Sequence, residues 1–165
     1  MDCSGLEYGG TQEDAANGAE GIMFRVKSLR DLTVISFEVY GSVSGTHPFQ
    51  VYTRSGDYTG HESSQAGWSL AYDNASLQLN GKDTLSSEAV LSTRVSIPAG
   101  TEVSFYLYTP SKLMYAPGTG ASPYSSNGDL EFYEGSGIYG GIFANTITPR
   151  VFAGMIRYVE NGNNR

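Results

Sequence analysis

TPRVFAGMIRYV, residues 148–159, is the stretch of sequence that decides the fold. The side chains of an extended chain alternate between its two faces, which places Phe152, Ile156 and Tyr158 together on one side. The apolar residues on the opposite side are Val151, Met155 and Val159. Apolar residues on both faces predict a strand that is covered on both sides, or one whose second face meets a partner. Gly154 leaves a gap in which a neighbouring ring or backbone can approach closely.

The composition favours a single β-rich domain. The chain has 165 residues, of which only 16% are charged, and it contains 21 Gly and 12 Tyr. This length is sufficient for one hydrophobic core. A low charge content with many turn-forming and aromatic residues is typical of β structure. No apolar pattern with the period of a helix continues for a dozen residues, so we expect no sizeable helix.

The charge balance excludes nucleic acid as an expected partner. The formal net charge is −7 and the sequence pI is near 4.7, with no basic stripe to meet phosphates. No apolar run reaches the roughly 18 residues that a membrane-spanning helix needs, which predicts no transmembrane segment. The first twenty residues are acidic and Gly-rich and predict no secretory signal in this chain. Met1 directly before Asp2 suits the start of an excised domain.

Short alternating segments between turn signals predict the strands. They are residues 21–27, 32–40, 49–54, 68–72, 76–79, 87–97, 101–109, 113–115, 129–134 and 137–143, followed by the closing stretch. Residues 73–75 and Asn80-Gly81 predict tight turns. The pattern indicates an all-β, jelly-roll-like sandwich of two antiparallel sheets with about 8–10 strands, and a β-barrel is the alternative. We assign the sandwich to residues 21–160, between a flexible tail or linker at 1–20 and a disordered tail at 161–165.

A series of short motifs carries a family resemblance. In order, they are GIMF (21–24), FEV (37–39), VYTRSG (51–56), GHE (60–62), Trp68, IPAG (97–100), FY (105–106), DL (129–130), YEGSG (133–137), PRVF (149–152) and Gly154. In this order and spacing, the chain resembles a β-sandwich module that recurs, often in tandem, in large secreted or surface proteins of microalgae and bacteria. The resemblance implies an extracellular or wall-associated setting and carries no established catalytic activity. The sequence departs from the family pattern at Arg25, where an acid is expected, and at Ala153, where Asn is expected.

The long polar connection at residues 55–67 holds the first candidate site. Asp57, Tyr58, His61 and Glu62 combine carboxylates with an imidazole that titrates near neutrality, a pairing that suits ligand binding, metal ligation or acid–base chemistry. No second histidine lies nearby, and zinc spacing and a nucleophile elbow are absent. The alternative is a solvated loop that is closed by side-chain-to-backbone hydrogen bonds.

Aromatic residues form the second candidate site. Sugar rings stack on aromatic rings while their hydroxyls bind nearby polar groups. The candidates for such a platform are Trp68, Tyr72, Tyr106, Tyr108, Tyr133 and Tyr158. We expect Tyr106 and Tyr108 to be exposed, because Phe105 and Leu107 already occupy the inner face of that strand. Trp68 is more typical of a core anchor, and any of the tyrosines is also an ordinary strand residue.

Oxygen-bearing residues near 125–129 predict a site for a structural calcium ion. Ca²⁺ prefers carboxylate and amide oxygens, and we expect Asn127 and Asp129 to be the ligands, although no EF-hand loop is present. Further candidate donors are Asp83, Glu131 and Glu134. Asn74-Ala75-Ser76 matches the N-glycosylation sequon. Cys3, the only cysteine, is either an incidental thiol or half of a bridge to another domain or chain.

These observations favour a non-enzymatic extracellular module for recognition or adhesion. The expected ligand class is carbohydrate, with a polysaccharide or glycoprotein as the partner. The first alternative is a purely structural repeat that assembles with copies of itself or with sister domains through its sheet edges. The second alternative is a hydrolase in which His61 or His47 meets a carboxylate and a nucleophile.

Overall fold

The structure is a computed structural model that describes residues 4–8, 17–118, 120 and 123–161. These residues form twelve β-strands and no helix. The strands are Ser4–Tyr8 (β1), Asn17–Ser28 (β2), Leu32–Val39 (β3), Ser44–Ser55 (β4), Ser69–Asn80 (β5), Ala89–Ile97 (β6), Glu102–Pro117 (β7), Ser125–Ser126 (β8), Leu130–Phe132 (β9), Gly135–Tyr139 (β10), Asn145–Phe152 (β11) and Gly154–Glu160 (β12).

All of these strands pair antiparallel and form two sheets, which confirms the predicted all-β fold with two antiparallel sheets. The small sheet has the order β1-β12-β3-β6, and the large sheet has the order β5-β4-β7-β11-β10-β2-β9-β8. Large rings from both sheets meet in the core between them. Phe24 of the large sheet stacks on Phe152 with 4.7 Å between ring centroids, and Phe37 of the small sheet meets Phe152 edge-on at 6.2 Å.

The stretch 148–159 carries the chain from one sheet into the other. β11 pairs with β7 and β10 in the large sheet, whereas β12 pairs with β3 and β1 in the small sheet. Only Ala153 separates the two strands. Phe152, Ile156 and Tyr158 all belong to the inner core, as their alternation predicts. The alternation thus predicts the inward face of this stretch correctly, but it predicts one strand where the structure has two.

The gap predicted at Gly154 is also confirmed. A Cβ atom at this position would lie 2.3 Å from the backbone oxygen of Glu38 and 2.7 Å from Cζ of Phe152. The backbone φ of +152° is one that side-chain-bearing residues rarely adopt. Glycine is therefore required here both for its backbone conformation and for the missing side chain.

Two local predictions differ from the structure because a partner strand overrides the local sequence. Residues 4–8, which the sequence places in a tail, pair with β12, whose backbone groups would otherwise form an open edge. Residues 73–75 form no turn, since β5 runs through them and pairs with β4 along its length. Further differences are that β2 begins at Asn17 rather than at residue 21, and that the described strands number twelve rather than 8–10. Cys3 and residues 162–165 lie outside the described residues.

A bulge in β7 allows four strands within the large sheet to close into a ring. Tyr108 pairs with Gly21 of β2, and the next pairing joins Leu113 to Ala19, so several residues of β7 oppose one of β2. Beyond this bulge, residues 115–117 of β7 pair with residues 150–152 of β11. β11 pairs with β10 and β10 pairs with β2. The four strands β2, β7, β11 and β10 therefore form a closed ring.

Replacement of Gly154 by alanine should lower the free energy of unfolding by more than about 2 kcal/mol, since it adds a backbone clash to an unfavourable φ. The matched control is Gly100→Ala, because Gly100 has a φ of +80° and nothing within 4 Å of its added Cβ. Urea unfolding of both variants measures the difference. Equal losses of stability in the two variants would contradict a role for the close approach at Glu38.

Candidate functional site

The long loop 56–68 folds onto the outer face of the large sheet. Met23 and Tyr106 pair across β2 and β7 next to the inward pair Phe24 and Phe105, so alternation directs the former two side chains away from the core. Tyr58 and Trp68 of the loop pack over them. We call this group the outer aromatic cluster; its buried members are Met23, Tyr52, Tyr58, Trp68, Tyr106 and Ile138, with Tyr108 and Phe143 packed against it.

Hydrogen bonds within the loop fix its conformation. Trp68 Nε1 donates to the backbone oxygen of His61 at 2.9 Å, and the backbone N–H of Gly60 donates to the Glu62 carboxylate at 3.0–3.1 Å. Asp57 Oδ1 accepts from the backbone N–H and the hydroxyl of Thr59, both at 3.1 Å. The loop therefore has the side-chain-to-backbone closure that was the alternative interpretation of its polar sequence, and Glu62 takes part in that closure.

The prediction that Tyr106 is exposed is wrong, because its ring is 0% exposed. The strand alternation is as expected, but the loop and Phe143 cover this face of the sheet. The Tyr106 hydroxyl accepts a hydrogen bond from the backbone N–H of Phe143 at 3.2 Å. Burial raises the pKa of Tyr106 well above its usual value. Tyr108, at the edge of the cluster, is half-buried.

A cleft lies where the loop meets β2 and β11, and we call it the Arg25 cleft. Its volume is about 240 Å³. The side chains that line it include an arginine, two carboxylates, two tyrosines and two threonines. These residues are Arg25, Asp57, Tyr58, Thr59, Tyr133, Glu134 and Thr148, together with Pro149, Gly120 and Gly135.

Arg25 is the centre of the cleft. Its guanidinium carbon lies 4.1 Å from the centroid of the Tyr133 ring, which is the geometry of a cation–π contact. Its Nη1 atom lies 3.6 Å from Asp57 Oδ2 and 3.4 Å from Glu102 Oε2. The Glu134 carboxylate accepts a hydrogen bond from the backbone N–H of Gly120 at 3.0 Å. The cleft thus presents a flat ring, a fork of N–H donors and carboxylate acceptors within one small volume.

The structure brings only part of the predicted loop site into this cleft. Asp57 and Tyr58 line it, and the Tyr58 hydroxyl hydrogen bonds to Ser136 Oγ at 3.0 Å. His61 and Glu62 are not among its lining residues, and Tyr108 lies in the outer aromatic cluster instead.

The sequence predicts the face on which the central residue of the cleft lies. Alternation along residues 21–27 directs Arg25 outward, and the structure places it on the same face as Met23. However, the sequence does not reveal which loop covers that face. It therefore predicts an outward-facing Arg25 but not a cleft that Arg25 shares with Asp57.

The predicted calcium ligands make hydrogen bonds and an ion pair within the protein. Asn127 Oδ1 accepts from the backbone N–H groups of Asp129 and Leu130, both at 2.9 Å. Asp129 Oδ2 accepts from the Tyr158 hydroxyl at 2.8 Å, and Oδ1 lies 3.1 Å from Arg30 Nε. Within the described ranges, no three His, Cys, Asp or Glu side chains form a metal-binding group. A Ca²⁺ ion at Asp129 would have to compete with Arg30 and Tyr158, so this arrangement does not fit the ion well.

His47 meets a serine rather than a carboxylate. Its Nε2 atom donates to the backbone oxygen of Ser44, which only accepts, at 3.2 Å. Its Nδ1 atom shares a hydrogen bond of 2.7 Å with the Ser111 hydroxyl. In the part of the chain that the structure describes, neither His47 nor His61 forms an ion pair with a carboxylate. Among the described residues, the geometry thus contains a Ser–His pair without the carboxylate of a triad.

Comparison with known proteins adds no identification: no known protein family matches this chain, and no curated protein matches it. The resemblance to a tandem surface module therefore stays a prediction. No helix among the described residues has the length and hydropathy needed to cross a membrane.

The network around Tyr158 predicts a loss of stability at alkaline pH. Burial, with a further contribution from the hydrogen bond to Asp129, raises the pKa of Tyr158 from 10.0 to about 12. A raised pKa stabilises the fold fully below pH 10, and this contribution is lost as the pH rises through about 12. At pH 8, Tyr158→Phe should lower the free energy of unfolding by about 1–2 kcal/mol through its lost hydrogen bonds.

That difference should shrink as the pH rises above 10. Unfolding by urea at a series of pH values measures it in both proteins. A difference between wild type and Tyr158→Phe that stays constant up to pH 12 would contradict the raised pKa. Tyr139→Phe is the control for removal of a tyrosine hydroxyl, because Tyr139 is 46% exposed.

Proposed function

We propose that this chain is a non-enzymatic recognition module that binds carbohydrate in the Arg25 cleft. The observation that carries the proposal is the convergence of the Tyr133 ring, the Arg25 guanidinium and the carboxylates of Asp57 and Glu134 around one cavity. A few fixed polar groups beside an aromatic ring are what a sugar-binding site needs. The resemblance of residues 21–160 to a secreted surface module supports the same setting, extracellular or wall-associated.

The size of the cleft favours a single sugar unit. Sites for drug-sized ligands measure about 300–1,000 Å³, and the cleft is smaller than that, at about 240 Å³. One ring, such as the terminal residue of a polysaccharide or glycoprotein glycan, would enter it. Its hydroxyls would donate to the carboxylates and accept from the guanidinium, and its C–H face would meet the tyrosines.

The charge of the cleft favours a neutral sugar. Arg25 is shared between Asp57 and Glu102, and Glu134 adds a further carboxylate to the lining. An acidic sugar would bring a fourth negative charge next to one arginine whose charge is already balanced. Neutral hydroxyl groups avoid this repulsion and can still use every donor and acceptor in the cleft.

The variant Asp57→Asn should weaken binding of a neutral glycan by about tenfold, since it removes a charge-assisted hydrogen bond. An Asn side chain keeps the oxygen that accepts from Thr59, so the loop should remain folded. Asp73→Asn is the matched control, because Asp73 is exposed and lies outside the cleft. A glycan array followed by isothermal titration with its best neutral ligand measures the effect. The absence of any glycan binding would reject the proposal, as would equal affinities in both variants.

A second candidate function is assembly as a structural repeat. β6 ends the small sheet and β5 ends the large sheet, and their side chains Val90 and Leu70 are 51% and 45% exposed. Unpaired backbone groups beside an exposed apolar side chain suit strand pairing with a sister domain.

Sedimentation velocity over a range of concentrations tests this candidate. Assembly predicts a sedimentation coefficient that rises with concentration in the wild type and stays constant in Val90→Lys, because a lysine on an edge strand blocks edge-to-edge pairing. Ser63→Lys adds the same charge at an exposed position of the loop 56–68, away from β6, and is the control. A wild type that remains monomeric at the highest concentration would contradict assembly through β6.

A further inference from the structure

A second cavity opens at the closed ring of β2, β7, β11 and β10. Its volume is about 260 Å³, and it is separate from the Arg25 cleft, with which it shares no lining residue. Its walls are mostly apolar or aromatic, and a single arginine supplies the charge. The lining residues are Gly18, Ala19, Tyr115, Tyr139, Ile147 and Arg150.

An irregularity in strand pairing brings Arg150 and Ile147 to the same cavity. Ile147 pairs with Gly137 of β10 and Arg150 pairs with Gly135, so three steps along β11 match two along β10. Strand side chains three residues apart normally point to opposite faces. Because β11 has one extra residue between these two pairings, as in a β-bulge, the side chains of Ile147 and Arg150 point to the same face. The charge and the apolar wall are thus combined by the register of this hairpin.

Among the described residues, the guanidinium of Arg150 has no acidic partner. Arg25, Arg30 and Arg157 each lie within 4 Å of a carboxylate, whereas no described carboxylate lies within that distance of Arg150. Its Nη1 donates to the backbone oxygen of Pro149 at 2.7 Å, and its Cζ lies 5.9 Å from the centroid of the Tyr115 ring. Nε is buried and has no hydrogen-bond acceptor among the described residues. A buried donor without an acceptor is costly and is relieved by a ligand that supplies one.

Exposed apolar side chains line this cavity. Seven large hydrophobic residues are exposed in the described parts of the chain, and three of them lie on the β10–β11 hairpin. Tyr139 and Ile147 line the cavity and are 46% and 38% exposed, and Ile142 of the connecting turn is 41% exposed. Exposed apolar side chains grouped beside a cavity mark a site where an apolar body is bound.

We propose that this cavity binds a carboxylate carried on an apolar or aromatic body. The carboxylate pairs with the Arg150 guanidinium, whose planar donors match two carboxylate oxygens. The apolar body lies against Tyr139 and Ile147. In the Arg25 cleft the arginine is shared between two carboxylates, whereas none of the described carboxylates lies within 4 Å of Arg150. The proposal is therefore independent of the carbohydrate proposal and concerns a different ligand.

Isothermal titration with two pairs of probes tests the proposal. The first pair is 3-phenylpropanoate and its neutral carboxamide, and the second is the peptide Gly-Gly-Phe with a free or an amidated carboxyl terminus. Each acid should bind about tenfold or more tightly than its amide, because only the acid makes a charge-assisted bond. Binding of only the small acid assigns the site to a free small molecule, and binding of only the peptide acid assigns it to a chain end. An acid that binds no better than its amide in both pairs overturns the proposal.

Arg150→Gln should remove this preference of the protein for acids and leave the weak binding of the amides unchanged. Arg94→Gln is the matched control, because Arg94 is exposed on β6 and lines neither cavity. If Arg150→Gln fails to fold, Ile147→Ser tests the apolar wall instead, since Ile147 is 38% exposed and its replacement should weaken acid and amide alike. A preference for acids that persists in Arg150→Gln, or unchanged binding in Ile147→Ser, overturns the assignment.

Discussion

The close approach of two backbones at Gly154 is the constraint on which the rest of the structure depends. The chain leaves the large sheet after Phe152 and enters the small sheet at Gly154, so one residue joins the sheets where a loop would be usual. Phe152 packs against Phe24 of one sheet and Phe37 of the other at this point. Because the backbone and the aromatic core are fixed together, the separation of the sheets and the register of β12 are determined by the same few contacts.

A small sheet on one side leaves the other face of the large sheet to be covered by loops. Alternation gives that outer face large side chains, among them Met23, Tyr52 and Tyr106, which need cover as much as the inner core does. Tyr58 and Trp68 supply it from the loop 56–68, so burial rather than strand pairing determines where this loop lies. The Arg25 cleft is formed at the boundary of this cover, with Asp57 held in place by the neighbouring buried Tyr58.

Alternation is a local property, which is why the sequence predicts the inward face of the closing stretch and the two-sheet class correctly. Pairing is not local. Residues 4–8 alternate only over Leu6, Glu7 and Tyr8, which is too short to predict a strand, and they form one by pairing with the edge of β12. Residues 73–75 have turn-forming side chains, but the pairing with β4 keeps them in a strand. Tyr106 faces away from Phe105 as predicted, yet its exposure depends on a loop far away in the sequence. Asp57 was identified from the length and polarity of its loop, whereas the partnership with Arg25 depends on which strand that loop covers.

The overall charge of the protein does not determine the charge of the ligand that each cavity prefers. A net charge of −7 repels anions at long range, but this field is screened over about 8 Å at physiological ionic strength, so a bound group responds mainly to its immediate neighbours. Arg25 has Asp57 and Glu102 within 4 Å, whereas no described carboxylate comes that close to Arg150. β11 borders both cavities: Thr148 lines the Arg25 cleft and Arg150 lines the second cavity. Arginine is therefore paired with carboxylates in one cavity, and in the other it has no carboxylate partner among the described residues. Strand register, rather than composition, determines which arginine lies next to carboxylates and which lies in the mostly apolar cavity.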